Sequence, residues 1–138
     1  MTAAVLDTNV IVSGTLSPGG PPGRIVDWLV EGEIRAVLDD RIIAEYDRVL
    51  HYPRLKLPRS KVDILLGRIS QIGIHVTAAP QYACIKLPHA GRKPLAQCAL
   101  TAQVPLVTGS TKHFPPNVLN PVPILSPFEY LRLLELQS

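Results

Sequence analysis

Residues 3–12 read AAVLDTNVIV: an apolar run, a carboxylate, two small polar residues and a second apolar run. Ala3 to Leu6 is too short for a buried helix, and Val10 to Val12 continue it with β-branched residues. Length and composition predict a buried strand, with the chain turning near Asp7-Thr8-Asn9. The pattern then changes period. SPGGPPG (Ser17–Gly23) is a loop by its turn residues, and Arg24 opens a segment with Ile25, Val26, Trp28, Leu29 and Val30 at helical spacing, stopped by Gly32. Ile34–Leu38 predicts a second strand, Asp39 and Asp40 are cap candidates, and Arg41–His51 is a helix with Ile42, Tyr46, Val49 and Leu50 along one face.

Further out, Ser60 and Asp63 form a capping-box pattern for a helix carrying Ile64, Leu65, Ile69 and Ile72, and His75–Thr77 predicts a short strand. Pro94 opens a helix holding Leu95, Cys98, Ala99 and Leu100; Val104–Thr108 and Val122–Leu125 predict strands. Ser126-Pro127-Phe128-Glu129 starts a last helix running to about Leu136. Strands alternating with helices imply crossover units and a parallel sheet covered on both faces. In such sheets ligands bind outside the carboxyl ends of the strands, so Asp7, Asp39, Asp40 and Thr108–Ser110 should share one rim.

A length of 138 residues predicts a single domain over 1–138, and 46% hydrophobic with 18% charged residues is unlike a disordered chain. Cys84 and Cys98 form no CxxC pair and predict a reduced, cytoplasmic protein with buried thiols. No apolar run approaches a membrane span, and Met1 leads into Asp7 too quickly for a signal peptide. Nine of the 11 carboxylates fall in residues 1–63; between Ile64 and Phe128 there are none, while Arg68, Lys86, Arg92, Lys93 and Lys112 lie there. That block suits a phosphate backbone, although charge alone favours the plainer reading of cations scattered over a solvated surface.

GxGxxG, GxxxxGK[ST], HExxH and GxSxG patterns are absent, which removes dinucleotide, Walker-type, zinc-protease and nucleophile-elbow chemistry. Thr108-Gly109-Ser110-Thr111-Lys112 has the residues of an anion cradle or of an ordinary capped turn. Asp7, followed by Thr8 and Asn9, is either an Asx turn satisfying local amides or a ligand for a hard metal ion. Glu45 and Asp47 flank the apolar face of their helix symmetrically, and periodicity does not choose between them.

VLDTNVIVSG resembles the opening of PIN-domain proteins, and the similarity continues through SPGGPPGRIVDWLVEG, LDDRIIAEYDRVL, LVTGSTKHFP and VPILSPFEYL. It is closest to the bacterial and archaeal branch of toxin components of toxin–antitoxin systems. The resemblance implies a three-layer α/β/α sandwich with a central parallel sheet. It also implies acids at the strand ends that bind Mg²⁺ or Mn²⁺ and activate water for cleavage of single-stranded RNA. By position, Asp7 matches the first acid, Asn9 its polar neighbour and Glu45 the helix acid, with Asp7 and Glu45 as catalytic and metal residues. Thr108, Ser110, Thr111 and Lys112 match the substrate or polar-neighbour stretch. The implied partners are single-stranded RNA and a cognate antitoxin, on a homodimer without membrane attachment.

The chain departs from that pattern at two places. Where the family usually carries an acid-rich stretch ahead of the helix begun by Pro94, this sequence has His89-Ala90-Gly91-Arg92; and Ser110 stands where Asp or Asn often follows the late TG. Two acids remain. The expectation is that Arg92, or Lys93 if the register slips by one, pairs with Asp7 and Glu45 and substitutes for the ion. The metal would then be weakly held or absent, and the protein would be a reduced nuclease or an RNA- or antitoxin-binding module.

Overall fold

The computed structural model describes residues 2–137. Its first strand, β1 (Thr2–Leu6), ends at Asp7, and the chain enters helix α1 (Thr8–Leu16) at once. Val10–Val12 therefore lie in a helix and do not continue the strand. Asp7 holds extended backbone at the N-cap, and the helix buries Val10 and Ile11 completely. Burying such a side chain is worth about 1.5–3 kcal/mol, against well under about 1 kcal/mol of lost helix propensity.

Helix α2 (Pro21–Glu31) follows, started by two prolines and closed by Gly32 at φ 83°. It approaches α1 so closely that a Cβ at Gly14 would collide with the Pro22 carbonyl. Strand β2 (Ile34–Leu38) leads through Asp39, whose carboxylate accepts the Ile42 amide at 3.0 Å, into α3 (Asp40–Leu50). The expected Ser60–Asp63 box does not form. Helix α4 (Arg59–Ile72) begins directly after Pro58, so both residues already lie inside it, and Asp63 meets His51 instead, Oδ1 to Nε2 at 3.0 Å.

After β3 (Ile74–His75) the segment up to 92 has only two 3-10 turns, Pro80–Tyr82 and Ala90–Arg92. Cys98 is buried in α5 (Lys93–Ala102), but Cys84 is exposed in this irregular segment, which corrects the expectation of two buried thiols. Strands β4 (Leu106–Val107) and β5 (Ile124–Leu125) are shorter than predicted; Pro105 and Pro123, just ahead of each, have no amide to donate. Helix α6 (Pro116–Leu119) separates them, and α7 (Pro127–Gln137) opens with the expected reciprocal cap: the Glu129 amide to Ser126 Oγ at 3.1 Å and the Ser126 amide to Glu129 Oε1 at 2.9 Å.

All strands are parallel, in the order β3-β2-β1-β4-β5. The chain steps outward from β1 to β2 and β3, then crosses back to lay β4 against the other side of β1. Right-handed crossovers put α1–α4 on one face, and the reversal puts α5 on the other, where it packs on β1, β2 and β4. The three layers enclose a core of fully buried aliphatics from the central strands, Val5, Leu6, Val37, Leu38, Leu106 and Val107 among them. The reversal leaves a crevice between the carboxyl ends of β1 and β4. No helix among the described residues is long and apolar enough to cross a membrane.

Candidate functional site

Asp7 occupies that crevice and has no accessible surface. Its amide donates to the Val107 carbonyl at 2.9 Å, which ties the end of β1 to β4. Its Oδ2 accepts the hydroxyl of Thr108 at 2.8 Å, and its Oδ1 accepts Nη1 of Arg92 at 2.5 Å. Burial pushes this carboxyl above the usual aspartate value, and the Thr108 hydroxyl and the Arg92 charge pull it partly back.

Arg92 arrives there because crossover helices run antiparallel to their strands, so the start of α5 lies at the carboxyl rim. The guanidinium is presented by the 3-10 turn Ala90–Arg92, with 27% of its side chain exposed. Lys93 is half-buried in the first turn of α5 and makes no ion pair among the described residues.

Asn9, in the first turn of α1, accepts the Gly109 amide through Oδ1 at 3.1 Å. Thr108 Oγ1 accepts the Ser110 amide at 3.0 Å while donating to Asp7. The Gly109 amide is thus taken by Asn9 of α1 and the Ser110 amide by Thr108. Thr111 and Lys112 are exposed on the following 3-10 turn, with no side-chain bond to Asp7 or Glu45 among the described residues.

Tyr46 positions the second acid, a role that sequence reading missed. Fully buried, it donates its hydroxyl to the Leu6 carbonyl and pins α3 to the end of β1. Burial, then the charges of Asp7 and Glu45, push its phenol well above the ordinary tyrosine value. The neighbouring Glu45 consequently faces α1, where its Oε2 accepts the Thr8 hydroxyl; its Oε1 lies 3.8 Å from Arg48. Asp47 turns the other way, 3.3 Å from His51. The guanidinium expected between both acids therefore reaches Asp7 alone. The available signal for Tyr46 was a polar-tipped side chain on the otherwise apolar face of α3, and for Thr8 its place between Asp7 and Asn9.

Above these residues runs an open groove of about 460 Å³. Thr8, Asn9 and Glu45 line it from α1 and α3, Arg48, Tyr52 and Arg54 from the end of α3 and the turn beyond, and His89 and Arg92 from the approach to α5. His89 packs edge-on against His113, ring centroids 4.4 Å apart. Burial, then the neighbouring His89 and the positive charges of Arg92 and Lys112, push His113 below the ordinary histidine value. A larger groove, about 600 Å³, lies at the carboxyl ends of β2 and β3; in it Arg41 binds Asp39 at 2.6 Å and the Gln97 carbonyl oxygen at 2.7 Å.

A divalent cation needs oxygen lone pairs free to face it. Both oxygens of Asp7 already accept donors, one of them a fixed cation, and Glu45 accepts from Thr8. Among the described residues no group of three or more His, Cys, Asp or Glu side chains could hold a metal ion. The residues present do not fit the Mg²⁺ or Mn²⁺ that the resemblance implies.

No curated protein matches the chain. A family model for the PIN domain matches residues 3–112, from the first strand through the turn that follows Thr108, and on that match this chain belongs to the PIN-domain family.

Proposed function

We propose that this chain is a PIN domain whose acidic site has become an anion-binding site, and that it binds single-stranded RNA without cleaving it through a resident metal. The carrying observation is the ion pair between Arg92 and the wholly buried Asp7. At about 4 Å and an effective dielectric near 20, a unit charge pair is worth about 4 kcal/mol, and a dication brought beside Arg92 meets about twice that as repulsion. Arg92 therefore opposes an ion at Asp7 and attracts a phosphate from the groove side, where Arg48 and Arg54 add further charge. Phosphate contacts of this kind release counterions, so affinity should fall steeply with salt. On this reading residues 1–138 act as one domain, and any antitoxin partner or homodimer serves binding rather than restraint of a nuclease.

An endoribonuclease with a reduced ligand set is the second reading. It is favoured by Glu45, whose charge is near enough to raise the Asp7 carboxyl and whose side chain keeps 32% exposure beside the groove. One experiment separates the two. A panel of labelled single-stranded RNAs is incubated with wild type and Asp7→Asn, with EDTA and with Mn²⁺. The binding reading expects a salt-sensitive complex in EDTA and no cleavage under any condition. Mn²⁺-dependent cleavage by the wild type that Asp7→Asn abolishes would instead establish the nuclease.

A further inference from the structure

The groove carries a feature that phosphate binding alone does not use. Tyr52 lines it with a half-buried ring, and the guanidinium carbons of Arg48 and Arg54 lie 5.9 and 5.5 Å from the ring centroid. Arg48 also donates to the Tyr52 hydroxyl at 2.5 Å, which fixes the ring's direction. Arg54 pairs with no carboxylate among the described residues, and the nearest acid to Arg48 is Glu45 at 3.8 Å. A flat π-surface with two planar guanidiniums over it, in the same groove as Arg92 and His89, offers both stacking and charge. An acidic peptide would use the charges and leave the aromatic face idle; an unpaired base on a phosphodiester chain uses both.

We propose that Tyr52, set between Arg48 and Arg54, is a stacking platform for one unpaired base, so that the groove selects single-stranded over duplex nucleic acid. The backbone on either side of that base runs toward Arg92 and His89. This rests on the anion-binding reading of the same groove and adds to it the residue that reads a base rather than a phosphate. A stacked base must be free of its partner strand, so a duplex of equal charge loses the contact. The hydroxyl of Tyr52 already serves Arg48, so the base would stack against the ring and the guanidinium planes that lie over it.

The test is fluorescence anisotropy in EDTA with four probes: a single-stranded oligonucleotide, an abasic oligomer of the same backbone length, a duplex, and a glutamate-rich peptide of matching charge. Base–aromatic stacking predicts that wild type binds the base-bearing strand about tenfold more tightly than the abasic one. Tyr52→Leu should remove that preference, whereas Tyr52→Phe should keep it. The abasic comparison uses wild type alone, so it stands even if a variant misfolds. Equal affinity for base-bearing and abasic chains overturns the platform while leaving phosphate binding intact. Peptide binding as tight as that of the oligonucleotide also overturns it. Failure of wild type to bind any oligonucleotide removes the anion-binding reading and this inference with it.

Discussion

At the end of β1, Asp7 meets Arg92 from 85 residues away; at the end of β2, Asp39 meets Arg41 two residues on. Both aspartates stand at the carboxyl end of a strand and the N-cap of the next helix, and both pairs are short, 2.5 and 2.6 Å. Their surroundings set them apart. Asp39 is partly exposed; burial raises its carboxyl, but the Ile42 amide and Arg41 outweigh that and hold it below the usual range. Asp7 is wholly enclosed, and burial outweighs its partners. The first pair is a helix cap with a local counter-charge. The second is a charge that the fold has buried and then had to answer with a cation from another layer.

That contrast can be broken most directly by removing each arginine. Arg92→Ala leaves the Asp7 carboxylate enclosed without its counter-ion and should destabilise by about 3 kcal/mol, read as a shift in the urea midpoint. A loss no larger than that of an exposed pair would show that Asp7 is not held as a charged partner. Tyr46→Phe leaves the Leu6 carbonyl without a donor and should cost about 1–2 kcal/mol in the same measurement. Because that bond sets the position of Glu45, the variant should also disturb the β1 groove and spare the one at β2.

Restoring acids tests the charge argument from the other side. Arg92→Asp combined with Ser110→Asp should raise Mn²⁺ affinity by at least about tenfold in a calorimetric titration; an unchanged titration would count against placing the lost acids at 92 and 110. Arg41→Ala should cost under about 1 kcal/mol, as exposed pairs do. The smallest effect is expected at His51, which joins α3 to α4 through Asp47 and Asp63. The Asp47 carbonyl, and then the two carboxylates, raise its pKa above the ordinary 6.5. Folding therefore favours the protonated ring. The contribution is complete below about pH 6.5 and disappears as pH rises through the folded-state value. His51→Gln should flatten the stability–pH profile across that window, and a parallel profile in wild type and variant would refute the link.

What could be read without coordinates followed the range of the forces involved. Ile34–Leu38 is a strand with the predicted ends, Gly32 stops α2, and Ser126 with Glu129 caps α7, since each depends on residues within one helical turn. Val10–Val12 misled because their β-branched preference was outweighed by burial against helices that local sequence does not show. The Ser60–Asp63 box failed because the helix had already started at Arg59, directly after Pro58. Glu45 and Asp47 were equivalent on a wheel; the resemblance favoured Glu45, and the physical difference came when Tyr46 fixed the rotation of α3.

The amino-acid order alone determined the parallel architecture, the acid at the mouth of β1 and the stretch without carboxylates that follows residue 63. Those are properties of neighbours in the chain, where apolar period, capping and charge composition act over a few residues. Whether Arg92 would meet Asp7, and whether Tyr52 would share their groove, was decided by the packing of α3 and α5 around the crevice. Such contacts join residues far apart in the chain and arise only when layers close over one another and exclude water.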